Sequence, residues 1–396
     1  MMSHLPTRRH VLKLGLGAAL GGRALLSAQA AGATARPARA GAPSLPVAIQ
    51  RCTCYEPRLV RARLDAALNL IGPLRGLVAN KTVTIKINVT GGPGHLAGLP
   101  AYRTYHVHPH VLGALCAALH DAGARRIHVV ESQSSRLHPE QVLTQCGWYV
   151  NEIKAAADGA VFFEDTRNRG AFADYARLTV PWGGLLYPAF LANRRYEQTD
   201  VFISLAKLKE HSRSGVSLSA RNMLGMPPTS LYGPDAPDED SVSSRLAIFG
   251  DSFRQLPAGV PAPVEEVRTG TGRMSGCARV IADCVGARPI DLAIIDGIET
   301  SRGGEGPWVK GARPVAPGLL VVGRNPVCTD AIATALMGHD PLAPGGRHPF
   351  PGENHLTMLE SLGLGTADPA RIEVRGLALQ EAALCFARAE VRTSRS

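Results

Sequence analysis

The sequence predicts an α/β fold, an open and mainly parallel or mixed sheet flanked by helices. Short runs of β-branched residues alternate with segments of helical periodicity along the chain. Residues 82–131 form one strand, loop, helix, strand unit, for which a right-handed parallel crossover is the default. The 396 residues are 45% hydrophobic and 19% charged, an ordinary globular composition. We therefore expect a single α/β domain over residues 47–390.

The elements follow from periodicity and from breaker residues. Gly123 favours a left-handed end to the second helix, and Pro326 suits the first turn of the last one. The expected strands are Val47–Ile49, Thr82–Asn88, Ile127–Val130, Val201–Leu205, Asp291–Asp296 and Leu319–Val322. The expected helices are Arg58–Ile71, His110–Ala122, Gly215–Leu224, Arg273–Val285 and Pro326–Gly338.

One segment interrupts this alternation. From about residue 227 to residue 271, Pro, Gly, Asp and Ser are frequent, and residues 235–240 are acidic. Long segments of this kind are lids, partner-binding loops or surface insertions, and the composition leaves all three open.

The N-terminus has the order of a processed export signal. Arg8 and Arg9 precede a Gly, Ala and Leu run broken only by Arg23, and Ala28-Gln29-Ala30 is a small-x-small cleavage site. The adjacent arginines resemble the twin-arginine consensus. We expect residues 1–30 to be a twin-arginine signal peptide and residues 31–46 to be a flexible tether. The expected partner is the twin-arginine export machinery, and the expected location is periplasmic or extracytoplasmic, reached by a folded chain.

Charge and hydropathy exclude two classes of protein. The net charge is +10, and residues 1–30 carry four of these charges and no acidic residue, so residues 31–396 carry +6. Basic residues form no block, and only 5% of residues are aromatic, so nucleic-acid binding is not expected. After the N-terminus no apolar run reaches about 18 residues, so we expect no membrane span in the mature chain.

The eight cysteines form no CxxC pair and no ferredoxin-like run, so we expect no cysteine-ligated iron-sulfur cluster. Cys52-x-Cys54 suits either a soft metal or part of a disulfide. The cysteines in apolar helical patterns are expected to be buried thiols: Cys116, Cys277, Cys284 and Cys328.

Polar residues at strand ends mark the expected site, because ligands of open α/β sheets bind beyond the carboxyl ends of the strands. If the strand from Val201 continues, period-two spacing places Lys207, Lys209 and His211 on one side, where an anion would neutralise them. The strand ends supply Lys86, Asn88, Glu131, Lys207, Lys209, His211, Asp296, Arg324 and Asn325.

A second histidine pattern, His106-x-His108-x-His110, permits either a copper, nickel or zinc site or solvent-exposed residues ahead of a helix. No G-x-S-x-G elbow or H-E-x-x-H motif occurs, which disfavours serine hydrolases and zincins.

Six separated motifs, in order, resemble the domain of unknown function 362 family. They lie between about Val47 and Gly376: residues 85–88, 205–211, 221–225, 294–298, 304–307 and 325–331. The resemblance implies an α/β protein without a settled reaction. The family's first motif corresponds to Lys86 and Asn88. Its usual lysine-asparagine pair is Arg221-Asn222 here, which keeps the charge but removes an amine able to transfer protons.

We expect an exported enzyme-like protein that binds a small anionic substrate, a carboxylate or a phosphate, with a divalent metal as the one cofactor considered. The proposed catalytic residues are Lys207, Lys209 and His211. The proposed substrate-binding residues are Lys86, Asn88, Arg221, Asn222 and Gly306, and the proposed metal ligands are Glu131, Asp296 and Asp330. The alternative is a non-catalytic ligand-binding or redox-accessory protein that uses the same basic cleft, and a third reading is a ligand-free salt-bridge network.

Overall fold

A computed structural model describes residues 41–133, 135–167, 174–236, 238, 241–242, 246–249, 256–264 and 275–383. The expected signal peptide and residues 31–40 of the expected tether lie outside these ranges, as does much of the segment 227–271.

An eight-stranded sheet runs through the centre of the molecule in the order β16-β1-β15-β12-β9-β2-β5-β6. The strands of the chain are β1 (Val47–Arg51), β2 (Thr82–Lys86), β3 (His95–Leu96), β4 (Leu99–Pro100), β5 (Arg126–Glu131), β6 (Val161–Asp165), β7 (Tyr175–Thr179), β8 (Ala189–Asn193), β9 (Val201–Lys207), β10 (Lys209–His211), β11 (Gly215–Ser217), β12 (Leu292–Gly297), β13 (Thr300–Arg302), β14 (Arg313–Val315), β15 (Leu319–Gly323) and β16 (Val374–Gly376).

The helices are α1 (Pro57–Leu70), α2 (Leu74–Val78), α3 (Pro109–Asp121), α4 (Pro139–Gln145), α5 (Val150–Ala155), α6 (Ser219–Asn222), α7 (Thr229–Tyr232), α8 (Ser275–Ala287), α9 (Pro326–Leu336), α10 (His355–Ser361) and α11 (Leu379–Ala382).

The sheet is mainly parallel, as expected. Strands β12, β9, β2, β5 and β6 pair in parallel. Strand β15 is reversed, and it pairs antiparallel with both β12 and β1. The predicted α/β class is therefore correct. The carboxyl ends of β12, β9, β2, β5 and β6 lie at one edge of the sheet, and that of β15 lies at the opposite edge.

Each face of the sheet is covered by a hydrophobic layer because successive strand residues alternate between the faces. Ile203 and Leu205 pack with α1 and α3 on one side. Phe202, Ala293 and Ile295 pack with α8 and α9 on the other. A buried side chain of this size contributes about 1.5–3 kcal/mol of transfer free energy, so this double-sided burial holds the strand ends in place.

The predicted helix Gly215–Leu224 is wrong over its first half. Residues 215–217 instead form β11, which pairs antiparallel with β10, and helix α6 begins only at Ser219. Gly215 has φ +80°, and a Cβ there would lie 2.6 Å from the carbonyl oxygen of Pro349, so only glycine fits this turn. The helical periodicity of a sequence does not reveal a short hairpin of this kind.

Two described pieces of the segment 227–271 belong to the core. Helix α7 is buried, and the Tyr232 hydroxyl accepts a hydrogen bond from the backbone of Leu191. Ile248 and Phe249 are also buried. These pieces are not a surface insertion.

The seven cysteines of the described chain include six buried thiols, and Cys54 is exposed. The expected burial of Cys116, Cys277, Cys284 and Cys328 is confirmed. No disulfide joins two of these seven residues. Within the described ranges, no helix has the length and apolar character needed to cross a membrane.

Candidate functional site

A cavity of about 350 Å³ opens at the carboxyl ends of β2 and β5. This is the edge at which open α/β sheets bind ligands. Six residues predicted from the sequence line it: Lys86, Asn88, Glu131, His211, Arg221 and Asn222. The structure therefore brings together side chains that lie up to 136 positions apart in the chain.

Lys86 and Glu131 form a buried ion pair at the floor of the cavity. The Lys86 Nζ to Glu131 Oε1 distance is 2.6 Å, and both side chains are less than 8% exposed. Glu131 also accepts hydrogen bonds from the backbone of Val89 and Ser132. Because the Glu131 carboxylate already has three donors, it serves as the counter-ion of Lys86.

Gly225 makes room for this pair. A Cβ at that position would lie 2.6 Å from Lys86 Cε and 2.8 Å from Lys86 Nζ. Position 225 therefore requires glycine because the Lys86 side chain approaches its backbone closely, and not because of a turn.

Asn222 connects the cavity floor to the helix above it. Its Oδ1 accepts from Asn88 Nδ2 at 3.1 Å, and its Nδ2 donates to the carbonyl oxygen of Lys86 and to Ser204 Oγ. Asn88 Oδ1 in turn accepts from Lys209 Nζ at 2.9 Å. The two amides are held mainly by protein groups and fix the positions of their charged neighbours.

Arg221 lines the cavity, and it forms no ion pair with a carboxylate of the described residues. Its guanidinium contacts His211 Nε2, and its buried Nε has no hydrogen-bond partner in the described chain. Burial lowers the pKa of Arg221 from its ordinary value. Even so, an arginine stays protonated in proteins, so a positive charge faces the cavity.

Both ring nitrogens of His211 face donors. Burial, followed by the charges of Arg221 and Lys209, lowers its pKa well below the ordinary value, so the ring is neutral. The backbone N–H of Arg213 donates to His211 Nδ1 at 3.1 Å, and the guanidinium of Arg221 contacts Nε2. A neutral imidazole has a single acceptor nitrogen, so one of these contacts brings two N–H groups together, and His211 supplies no counter-charge to Arg221.

Sequence reasoning missed Gln133, which lies two residues beyond the end of β5. Gln133 is 4% exposed and lines the cavity, and neither its Oε1 nor its Nε2 has a hydrogen-bond partner within the described chain. A buried amide without partners costs roughly 1–3 kcal/mol, which a bound polar ligand would recover. The one feature of the sequence that could have indicated Gln133 is its position just after the end of a strand.

The motif at residues 304–307 lies at the rim of the cavity, but its Glu305 and the nearby Trp308 were not among the proposed site residues. Glu305 accepts from the backbone N–H and hydroxyl of Ser212, and its Oε1 lies 3.8 Å from His211 Nε2. Trp308 is 50% exposed, and its indole occupies the space that a Cβ of Gly91 or Gly306 would need. Gly306 thus supports the wall through Trp308. Phe249, from the segment 227–271, completes the lining.

Lys209 lies behind the cavity and does not line it. Its Nζ donates to Asn88 Oδ1 and to the carbonyl oxygen of Tyr105 at 2.6 Å. Burial, with a further contribution from Arg221, lowers the pKa of Lys209 to about 7. This side chain is therefore poised to change charge near neutral pH.

Lys207 and Asp296 form a second buried pair, also outside the cavity lining. Lys207 Nζ lies 2.9 Å from Asp296 Oδ2, and neither side chain is exposed. Tyr55, which the sequence did not indicate, donates to Asp296 and accepts from Lys207. Burial lowers the pKa of Lys207, and Asp296 opposes that shift.

Asp330 lies on α9, and its carboxylate holds the start of α6. It accepts from the backbone N–H and hydroxyl of Ser219 and from the backbone N–H of Ala220. Burial raises its pKa to about 7. The three acids proposed as metal ligands, Glu131, Asp296 and Asp330, thus accept from three different sets of donors, and they do not come together as a group of ligating atoms among the described residues.

The histidines 106, 108 and 110 are not solvent-exposed as a group, so that expectation is wrong. His106 and His108 are buried, and the ring of His108 stacks on Tyr55 at 3.6 Å. His108 Nδ1 accepts from the backbone of His110 and caps α3.

A family model matches residues 83–335, more than half of the chain, and it is described as Domain of unknown function (DUF362). The chain belongs to this family. The match begins and ends inside the Val47 to Gly376 range of the sequence motifs. No curated protein matches the chain.

A solved structure, that of a protein from Thermotoga maritima, is similar at 13% sequence identity with a TM-score of 0.34. The match covers 67% of this chain and 56% of the other, so this chain spans little more than half of that protein.

We predict that Asp330→Ala destabilises the protein through α6. Two buried backbone N–H groups and the Ser219 hydroxyl lose their acceptor, so the free energy of unfolding should fall by roughly 2–4 kcal/mol in urea denaturation. Asp368→Ala is the matched control, because Asp368 Oδ1 accepts one hydrogen bond, from the Ala370 backbone at the protein surface. Equal effects of the two substitutions would contradict the anchoring role.

Proposed function

We propose that this protein is an exported, enzyme-like protein that binds a small anionic molecule, a carboxylate or a phosphate, in the cavity between β2, β5 and α6. The observation that carries the proposal is the guanidinium of Arg221, which faces the cavity and has no carboxylate partner among the described residues.

An uncompensated charge that is withdrawn from water is costly. Removing one partner of a buried ion pair typically costs 3–5 kcal/mol, because the remaining charge is uncompensated. Two buried lysines at this edge, Lys86 and Lys207, each have an acid within 3 Å, and Lys209, which donates to neutral groups, has a pKa lowered to about 7. Arg221 differs from them, and a bound anion would supply its counter-charge with a bidentate hydrogen-bonding geometry.

The remaining polar groups support the same ligand class. His211 lies beside Arg221 without supplying it a counter-charge, and Gln133 adds an amide with both atoms available within the described chain. A cavity of about 350 Å³ lies at the small end of ligand sites, which suits a metabolite.

One observation favours the non-catalytic alternative. Lys207 and Lys209, two of the three residues proposed to transfer protons, hydrogen-bond to protein groups behind the cavity wall. His211 is the proposed catalytic residue that does line the cavity. In the catalytic hypothesis Lys209, with its pKa near 7, acts only through Asn88 and the cavity charges, so it is a positioning residue.

Removal of Arg221 should weaken anion binding. We expect Arg221→Ala to weaken binding of inorganic phosphate and of malonate at least tenfold in isothermal titration calorimetry, because the counter-charge is lost. Arg221→Lys should bind with intermediate affinity, since it keeps the charge without the planar fork.

Arg371→Gln is the matched control, because it removes the same charge from a surface pair with Glu360. Unchanged affinity in Arg221→Ala, or equal losses in both variants, would rule out this cavity as the anion site.

Anion affinity should fall as the pH rises through about 7. A bound anion raises the pKa of Lys209 above its value of about 7 in the ligand-free protein, so binding is tightest where Lys209 is protonated. The charges of Arg221 and Lys207 lower the pKa of Lys209, and those of Glu305 and Glu131 raise it. Asp330 also has a pKa of about 7, but it lies outside the cavity lining, so the Lys209 substitution below separates the two groups.

Sulfate is the probe for this dependence, because its charge is constant in that range. A pKa increase of one unit corresponds to a tenfold change in affinity, about 1.4 kcal/mol. Lys209→Met should bind sulfate with an affinity that does not vary from about pH 6 to about pH 8.5, and a slope that survives this substitution would contradict the linkage to Lys209.

Export is supported by the N-terminal signal pattern. Replacing Arg8 and Arg9 by lysine keeps the charge but removes the twin-arginine pair, so the precursor should remain in the cytoplasm and keep residues 1–30. Arg23→Lys is the control and should still yield an extracytoplasmic chain that begins at Ala31 by mass spectrometry. Normal processing of the double-lysine variant would refute the twin-arginine route.

A further inference from the structure

A second cluster of ligating side chains lies behind the hairpin that carries His211. It consists of Glu210 on β10, His339 just after α9, and His348 in the loop before Phe350. One ligand atom of each residue lies within 4.8 Å of the other two. None of these residues was a candidate from the sequence, because 129 positions separate Glu210 from His339.

We propose that Glu210, His339 and His348 form a binding site for a divalent transition metal of the zinc class. This site goes beyond the anion cavity and uses none of the residues that line it.

The distances suit such a site. His339 lies between the other two residues: its Nε2 is 2.8 Å from Glu210 Oε1, and its Nδ1 is 3.2 Å from His348 Nε2. An ion takes one nitrogen of His339, and one ligand atom from each of the three residues lies within 4.8 Å of the other two. Ligands bound at about 2.0–2.2 Å to a tetrahedral ion are separated by roughly 3–3.5 Å, so side-chain rotations would bring the three atoms to a common centre.

The chemistry of the ligands selects the metal. Two imidazoles and one carboxylate suit zinc, iron, cobalt or nickel, whereas calcium and magnesium take oxygen ligands. The exposure is graded, with His339 mostly buried, Glu210 partly buried and His348 exposed. The open side lets the ion enter and lets water complete its coordination, as at sites with three protein ligands.

The surrounding contacts orient the carboxylate. Glu210 Oε2 accepts a hydrogen bond from the backbone N–H of Gly303, and Oε1 pairs with His339. Burial raises the pKa of Glu210, but these hydrogen bonds outweigh it and keep the pKa below its ordinary value, so the carboxylate is ionised. Outer-shell partners of this kind fix ligand geometry.

The position of the cluster gives the metal a structural consequence. Glu210 lies between Lys209 and His211, with its side chain on the opposite side of the strand. Gly303 begins the loop that supplies Glu305 and Trp308 to the cavity rim. A bound ion would fasten this loop, the β10–β11 hairpin and the end of α9 together.

The test titrates tag-free, chelator-treated full-length protein with Co²⁺ and with Zn²⁺. We expect one ion per chain in calorimetry and a cobalt d–d spectrum without a thiolate charge-transfer band. His348→Ala should weaken binding about 100-fold or abolish it, since an outer-shell change alone costs 10–100-fold. Because His348 is exposed, this variant should fold, which circular dichroism checks.

Glu210→Gln serves as the second variant, because its amide oxygen can still accept from Gly303 while the ligand charge is removed. It should weaken binding at least tenfold. His120→Ala is the control, since His120 pairs with Asp158 elsewhere on the surface. Absence of binding by the wild-type protein, a thiolate band, or wild-type affinity in both variants would overturn the proposal.

Discussion

The side-chain amide of Asn222 is the contact on which the geometry of the site depends. It accepts from Asn88 and donates to the end of β2 and to Ser204 of β9. One group thereby joins two central strands to α6, and its neighbour in sequence is Arg221. A side chain of the same shape that could not accept one hydrogen bond and donate two would leave buried backbone and amide groups without partners.

The same edge of the sheet shows how buried charge is accommodated. Lys86 and Lys207 are each paired with an acid, and each acid also accepts backbone N–H groups. These pairs are weak evidence for stability, since well-packed apolar residues often serve as well. Their main effect is to hold the strand ends in one arrangement. The charge of Arg221 lies beside these pairs and is available to a ligand.

The convergence of Lys86 and Glu131 could be predicted because β2 and β5 are parallel neighbours and bring their carboxyl ends to one edge. Asn222 lies on α6, and only the family motif placed it at the site. The same rule misplaced Arg324 and Asn325. Strand β15 is reversed, so Arg324 donates to Gly72 and Pro73, and Asn325 caps α9. A strand's direction depends on its partners, and a single sequence does not reveal it.

Other differences have equally local causes. The strand from Val201 ends at Lys207, and residues 209–211 belong to a separate hairpin in which β10 pairs with β11. Lys207 therefore stays with Asp296 instead of joining His211. Gln133, Glu305 and Trp308 lie in loops without a repeating pattern, and only the folded chain shows that they meet.

The buried cysteines have a consequence for the order of biosynthetic events. Six thiols are buried in the apolar layers, and burial raises the pKa of Cys52 and of Cys146 to about 11 and also raises the pKa of Cys116 and of Cys328. Thiolates are the reactive form, so the completed fold resists oxidation. If the chain were exported unfolded into an oxidising compartment, these thiols would be exposed and could form incorrect disulfides. If it folds in the reducing cytoplasm before export, as the proposed route implies, the thiols are already buried when it reaches that compartment.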